Sequence, residues 1–213
     1  MNRITVVACV LLLAACGGSS GSGAASPSPQ TSAQTVASNS GDFPGLTKCP
    51  ESGSWQSYLS AEQAKDPSQY TSDKTDWDNL KAAGANDSYI AVYADSSSHC
   101  GTFGAEPSGK VVDIYAIRFK DVNGASANFK TNQKDFHLSD TDLQNITSAG
   151  GKVSQGAATG LGANSVAVEL AIAGASFYIA FWQKNNFEVA MIAYNVPVSD
   201  GKSAAQKVND RIT

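Results

Sequence analysis

The sequence has little of what metal binding or nucleic-acid binding requires. Only two histidines occur among its 213 residues, whereas a zinc site needs three or four ligands. The formal net charge is −4, and a nucleic-acid partner would require a concentrated basic surface. No apolar run is long enough to cross a bilayer once the N-terminus is processed. These scarcities predict no metal, no cofactor and no nucleic-acid partner.

Motifs of nucleophilic and nucleotide chemistry are missing as well. No Gly-x-Ser-x-Gly nucleophile elbow appears in residues 43–213. The glycine-rich residues 150–162 lack the lysine and hydroxyl of a phosphate-binding loop. His99 is next to Cys100, but a catalytic pair needs side chains that face each other, which adjacent residues seldom provide. His137 falls near the end of a predicted helix, where it suits the helix dipole. The sequence therefore predicts that the protein is not an enzyme.

What the N-terminus does contain is a targeting segment. Arg3 precedes an apolar run over residues 4–13, which is too short for a membrane span and right for a signal peptide. The run leads into Leu-Ala-Ala-Cys, whose cysteine is Cys16. This tetrapeptide resembles the lipobox of bacterial lipoproteins. The resemblance implies that residues 1–15 are removed and that diacylglycerol is joined to Cys16, so that two acyl chains anchor the protein to the cell membrane, facing outside the cytoplasm.

The segment after Cys16 has the composition of a linker. Residues 17–40 are mainly Gly, Ser, Ala, Pro, Thr and Gln, without a single charge. Such a segment cannot bury enough apolar surface to offset the entropy of ordering. The sequence therefore predicts a disordered linker over residues 16–42 and one domain over residues 43–213, which is long enough to build a core.

Two cysteines remain in the predicted domain, Cys49 and Cys100. Outside the cytoplasm such a pair usually forms a disulfide. Neither cysteine belongs to a Cys-x-x-Cys motif, which argues against a redox or metal site. The sequence therefore predicts a structural disulfide between Cys49 and Cys100.

The rest of the domain alternates between helical and extended patterns. Asp73, Thr75 and Asp76 could cap a short helix, and Ser199 could cap the last one, whose narrow stripe contains Ala204, Val208 and other small apolar residues. The predicted helices cover residues 54–65, 76–83, 123–137 and 200–212, and the strands of this part cover residues 89–94 and 111–120.

Residues 165–195 read as three strands joined by two tight turns, which is the pattern of an antiparallel meander. Glycine in Gly174-Ala175 suits the first two-residue turn, and Asn185-Asn186 suits the second because asparagine tolerates positive φ. The two turns fix the register, since a slip of one residue would exchange the faces.

This register pairs Ile172 with Phe177 and Phe177 with Tyr194. It sorts the meander side chains into two faces. What we call the first face carries the large apolar residues Val168, Leu170, Ile172, Phe177, Ile179, Phe181, Ala190, Ile192 and Tyr194. What we call the second face carries Ala167, Glu169, Ala171, Tyr178, Ala180, Trp182, Val189, Met191 and Ala193. The sequence predicts that the first face is the core and that the second face is covered by a helix or binds something; the C-terminal helix could pack there, and so could the helix that contains Phe129.

Together these elements predict an α+β fold, with an antiparallel sheet of about five or six strands and helices packed against it. The sequence Thr159-Gly160-Leu161-Gly162, followed by the meander and a helix, resembles a pattern of small secreted lipoproteins of actinobacteria and their relatives. That group includes sensor-like and PsbP/Mog1-like α+β domains. The resemblance covers the last third of the chain and transfers no catalytic residue.

The predicted function is that of a membrane-anchored binding or sensor module of the cell envelope. Aromatic side chains with one charge are typical of a small-ligand site, which makes Glu169, Tyr178, Trp182 and Met191 on the second face the candidate ligand residues. The alternative for these residues is that they pack under a helix. Two other functions stay open: an extracytoplasmic hydrolase with an unrecognised site, and an envelope protein that binds only a protein partner.

Overall fold

The structure is a computed structural model that describes residues 31–101, 109–135, 140–172 and 174–213. The predicted signal peptide, Cys16 and His137 lie outside these residues. Within the described ranges, no helix is both long and apolar enough to cross a membrane. The helices are α1 (Ala33–Ala37), α2 (Trp55–Lys65), α3 (Pro67–Ala82), α4 (Val122–Asp135), α5 (Asp140–Ser148) and α6 (Val198–Asp210). The strands are β1 (Thr47–Lys48), β2 (Ala85–Ala94), β3 (Val111–Phe119), β4 (Lys152–Gln155), β5 (Ser165–Ile172), β6 (Ala175–Lys184) and β7 (Phe187–Tyr194).

The seven strands form one sheet in the order β1-β2-β3-β7-β6-β5-β4. Every neighbouring pair is antiparallel, so the predicted α+β class and the antiparallel sheet are confirmed. The pairing of β3 with β7 joins the first half of the domain to the meander of β5, β6 and β7. The two strands that have no counterpart among the five predicted residue ranges are short: β1 has 2 residues and β4 has 4.

The meander keeps the predicted faces although one of its turns differs. Phe177 pairs with Tyr194, as predicted. In the first hairpin, however, Phe177 pairs with Leu170 rather than with Ile172, because Ala175 already belongs to β6. Gly174 has a positive φ of 86°, a conformation that glycine adopts without steric cost. Since the register differs by two residues, which is the period of a strand, each side chain stays on its predicted face.

The prediction that the first face is the core is wrong, because the main hydrophobic core lies on the second face. Tyr178, Trp182 and Met191 are fully buried there. The cover comes from α6, through Ala204 and Val208, from Ile212 just after it, and from α1. The small side chains of α6 let the helix approach closely: a Cβ on Gly201 would lie 3.0 Å from the Cβ of Tyr178. The predicted packing of the C-terminal helix on the second face is thus confirmed.

Helix α1 shows that the predicted linker extends too far. Ser32 caps this helix by accepting a hydrogen bond from the backbone N–H of Thr35, and Val36 is fully buried in the main core. The backbone N–H of Ala33 donates to Asp87 Oδ2 at 2.8 Å. Residues 31–42 therefore belong to the folded domain, although the sequence predicts them as linker.

On the first face, α2 and α3 cover the part of the sheet formed by β2 and β3. Ser54 caps α2, and Asp66 caps α3 with Pro67 at its first turn. The prediction that this second helix begins at residue 76 is wrong, since Asp66 and Pro67 start it earlier. The rings of Trp55 and Trp77 stack at a centroid distance of 5.7 Å, which joins the two helices.

Helix α4 begins within one residue of its predicted start and crosses the sheet on the first face. The ring of Phe129 stacks on that of Phe181 at 4.8 Å, while Ala125 is buried against Phe119. Helix α5 was not predicted; it packs against β4.

Candidate functional site

The structure brings together three of the four residues of the predicted ligand site, but it places them in the core. Tyr178, Trp182 and Met191 are at most 1 % exposed, and burial raises the pKa of Tyr178 to about 12, with the charge of Glu169 adding to the effect. Glu169 is half-buried, and its carboxylate lies 3.7 Å from Lys202 Nζ. This arrangement is the alternative in which the residues pack under a helix, and it leaves them inaccessible to a ligand.

The accessible part of the sheet is instead on the first face, in the half toward the end of β7. Four large apolar side chains are only half-buried there, Phe177, Ile179, Ile192 and Tyr194, and we call them the open patch. Ile179 pairs with Ile192, and Phe177 pairs with Tyr194. The rings of Phe177 and Tyr194 meet edge to face at 4.9 Å. Two paired strands therefore hold the patch as a rigid apolar platform.

Among the described residues, helices border the open patch without covering it. On one side, α4 packs through Phe129 on Phe181, which belongs to the other half of β6. At the start of β4, a Cβ on Gly151 would lie 2.7 Å from Leu170 Cδ1 and from Ile146 Cγ2, so Leu170 packs against α5 and the start of β4. These contacts border the patch on two sides.

On the side toward β2, the open patch is bordered by aromatic side chains, one of which is hydrogen-bonded. Tyr58 Oη donates to Asp73 Oδ2 at 2.9 Å, and Trp55 contacts Tyr115 at a centroid distance of 6.1 Å. Burial raises the pKa of Tyr58, and the hydrogen bond to Asp73 and its negative charge raise it further. Burial also raises the pKa of Tyr115. These tyrosines therefore stay neutral across the physiological pH range.

Asp113 lies at the edge of the open patch, on β3 opposite Ile192. This residue is 2 % exposed, and its Oδ1 has no hydrogen-bond partner among the described residues. Burial raises the pKa of Asp113 to about 8, and the negative charge of Glu51 contributes to the shift. At pH 7 the carboxyl is therefore mostly protonated, which lets it donate as well as accept a hydrogen bond.

Sequence reasoning missed Asp113, although its position carries a signal. It is the one acidic residue in the strand Val-Val-Asp-Ile-Tyr-Ala-Ile, where it takes a first-face position between Val111 and Tyr115. A buried carboxyl without a partner is costly, so such a residue in an apolar strand indicates a special environment.

The predicted disulfide between Cys49 and Cys100 is confirmed. It joins the residue after β1 to the segment after β2, beside Ile90 and Val92. The carboxylate of Glu51 lies near both sulfurs, and it accepts a hydrogen bond from the backbone N–H of Gly101 at 2.5 Å. Because both sulfurs are in the disulfide, they offer no thiolate, and the group lacks the ligands of a metal site.

His99 has a local partner. Its Nδ1 lies 2.5 Å from Asp95 Oδ1, and Asp95 Oδ2 accepts from the backbone N–H of Lys110 at 3.0 Å. These bonds hold the pKa of Asp95 below its usual range, the hydrogen bond to His99 being the larger cause. A Cβ on Gly109 would lie 2.2 Å from the His99 ring. This packing holds the His99 ring between the ends of β2 and β3.

Comparisons with known proteins give no family. No protein-family model matches the chain, and no curated protein matches it. Among solved structures it is similar to the extracellular domain of PknH from Mycobacterium tuberculosis, with 14% sequence identity and a TM-score of 0.41. That similarity covers 63% of this chain and 69% of the other.

Proposed function

We propose that this chain is a lipid-anchored binding module that acts outside the cytoplasm and holds an apolar ligand on the open patch. Two features support the location. Leu13-Ala14-Ala15-Cys16 has the form of a lipobox, and the Cys49–Cys100 disulfide is typical of proteins that fold in an oxidising compartment.

The observation that carries the binding role is the open patch itself. Phe177, Ile179, Ile192 and Tyr194 form a contiguous apolar surface that the described helices border but leave partly exposed. Contiguous accessible apolar surface is a mark of interaction sites. Binding sites of this kind combine apolar walls with a few polar groups, and Asp113 adds one neutral carboxyl at the edge.

The chemistry favours an uncharged or weakly polar ligand. The patch offers aromatic and aliphatic surface, and the nearby groups Glu51 and Asp73 are acidic, so an anion would be repelled. Asp113 Oδ1 is buried beside the patch, so a ligand would gain from apolar burial on the patch rather than from a contact with this carboxyl.

The anchor is tested by the mass of the mature protein. The full chain, expressed in a bacterial host that processes lipoproteins, should lose residues 1–15, carry diacylglycerol on Cys16 and sediment with the membrane. The Cys16→Ser chain should lack the added mass and leave the membrane fraction. An unmodified Cys16 in the wild-type chain would contradict the anchoring part of the proposal.

The binding role is tested on the unlipidated chain from residue 17, exported so that the disulfide forms. A neutral apolar probe, N-phenyl-1-naphthylamine, should bind saturably, and Ile192→Ser should weaken binding at least fivefold. The matched control is Val122→Ser, since Val122 is an exposed apolar residue at the other end of the sheet. Equal probe binding by all three chains would refute the open patch as the site, and native mass spectrometry would show any ligand retained through purification.

A further inference from the structure

A cavity lies at the end of the sheet opposite the open patch. It has a volume of about 290 Å³ and is lined by two basic side chains, Arg118 and Lys120, by Val122 and Phe187, and by the acidic Asp121. Its position is set by the end of β3, the start of α4 and the start of β7. The sequence alone gives no sign of this cavity, because its lining comes from distant parts of the chain.

The N-terminal end of the described chain lies at this cavity. Thr31, the first described residue, is part of the lining, and its carbonyl oxygen accepts a hydrogen bond from Arg118 Nη1 at 3.3 Å. Its hydroxyl lies 2.8 Å from that of Thr213. Thr31 follows Cys16 by 15 positions, and the linker composition predicted from the sequence implies a span of roughly 20 Å. A lipid anchor on Cys16 would therefore hold this end of the domain near the bilayer surface.

The charges of the cavity suit an anionic headgroup. Lys120 is exposed, and no ion pair of its side chain occurs among the described residues. The guanidinium of Arg118 donates to two neutral oxygens and lies 3.7 Å from one carboxylate, that of Asp87. Asp121 is engaged locally, since its Oδ1 accepts from the backbone N–H of Gly124 at 2.8 Å.

An exposed apolar side chain stands beside these cations. Val122 is 52% exposed, and it is the one large apolar residue with such exposure among the described residues. An apolar residue next to a lysine suits the membrane interface, where the lysine reaches phosphates and the apolar group enters the acyl boundary. In water alone, exposure of the Val122 side chain would not stabilise the protein.

We propose that the cavity end of the domain faces the membrane and takes the phosphate headgroup of an anionic phospholipid between Arg118 and Lys120, with Val122 inserted at the interface. This inference rests on the proposed lipid anchor, since the anchor supplies the proximity. Electrostatic attraction to anionic lipids then sets the orientation.

The orientation has a consequence for the open patch. Phe187 in the cavity and Tyr194 in the patch lie at the two ends of β7, which puts about 24 Å between them at 3.4 Å per residue. With the cavity on the bilayer, the open patch points away from the membrane, where it is accessible to a ligand.

Lysine footprinting tests the orientation with an internal control. Lys120 follows β3 and Lys110 precedes it, and both are exposed. The mature chain is coupled through the Cys16 thiol to a maleimide lipid in vesicles, so proximity does not depend on cellular lipidation. Acetylation of each lysine by an N-hydroxysuccinimide ester is then followed by peptide mass spectrometry.

On phosphatidylglycerol vesicles, modification of Lys120 should slow at least threefold relative to phosphatidylcholine vesicles, while modification of Lys110 stays unchanged. Val122→Asp should remove the protection. Equal rates for Lys120 on both vesicles, or equal slowing of both lysines, would overturn the proposal. So would protection of Lys120 by inorganic phosphate on phosphatidylcholine vesicles, because the cavity would then take the free anion. Whether the lipid anchor forms is measured separately, from the mass that Cys16 carries in the protein isolated from cells.

Discussion

Asn128 Nδ2 lies 3.0 Å from each of the two carboxylate oxygens of Glu188. This contact joins α4 to β7 on the first face. Glu188 is 2 % exposed, and burial raises the pKa of Glu188 to about 8 despite the opposing effect of hydrogen bonds from Asn128 and Asn132. The pair therefore does more than pack the helix: it fixes where α4 crosses the sheet, and so where the open patch begins.

The first prediction concerns this contact. Asn128→Ala leaves the buried carboxyl of Glu188 with fewer partners, which should lower the free energy of unfolding by about 1–3 kcal/mol. The control is Asn123→Ala, because Asn123 is exposed on the same helix. Urea unfolding of both variants measures the difference. Equal stability of the two variants would show that the contact contributes nothing.

Part of the fold was predictable because local chemistry decides it. The Asn185-Asn186 turn fixes the pairing of Phe177 with Tyr194; Asn185 has the expected positive φ, at 50°, whereas Asn186 does not. The predicted register of the first turn is wrong, since glycine can occupy either central position. Gly174 takes the second position of the loop instead of the first, and the register moves by two residues.

The identity of the core face was not predictable from the strands. Bulk alone favours the first face, but the second face has small residues that let helices approach, such as Ala180 beneath the same cover as Trp182. Which face the helices cover depends on long-range packing, and α1 is hidden in a segment with a linker's composition. The predicted ligand site failed for the same reason, since its aromatic residues fill the core that α6 closes.

The second prediction tests the start of the domain. A chain that begins at Phe43, the predicted boundary, lacks α1 and exposes the core residues that Val36 and Ala37 cover. The truncation also removes the carbonyl of Val36, to which Arg211 Nη2 donates a hydrogen bond at 2.6 Å. Thermal unfolding should show a loss of at least about 2 kcal/mol, the scale for exposing one buried valine with its neighbours.

The control for this truncation is a chain that begins at Thr31. It keeps α1 and should match the stability of the chain that begins at residue 17, within about 0.5 kcal/mol. If the chain beginning at Phe43 were equally stable, the packing of α1 on the core would be contradicted.

The third prediction concerns the disulfide. Cys49 and Cys100 close a loop with a sequence separation of 51 residues, for which the chain-entropy relation gives a stabilisation of about 4 kcal/mol. Replacing both cysteines with alanine should lower the free energy of unfolding by that order. Dithiothreitol should destabilise the wild-type chain and leave the double variant unchanged. A free-thiol assay on the unreduced, unfolded domain should detect none.

The fourth prediction concerns pH and Asp113. In the folded chain burial raises the pKa of Asp113 to about 8, whereas an unfolded aspartate has a pKa near 3.9. Between these values the folded state holds a proton that the unfolded state has lost, so stability falls as pH rises, by up to about 1.4 kcal/mol per pH unit. Below about pH 4 both states are protonated, and the penalty disappears.

Asp113→Asn removes this titration while keeping the size of the side chain. Urea unfolding at pH 5, 6, 7 and 8 should show a shallower decline for the variant, and the variant should be the more stable chain at pH 8. The decline should not vanish, because burial also raises the pKa of Glu188 to about 8 and that of Asp76 to about 6. The exposed Asp121→Asn is the control and should keep the wild-type slope. Parallel curves for Asp113→Asn and the wild-type chain would mean that Asp113 is ionised in the folded protein, and the neutral polar group assigned to the edge of the open patch would be lost.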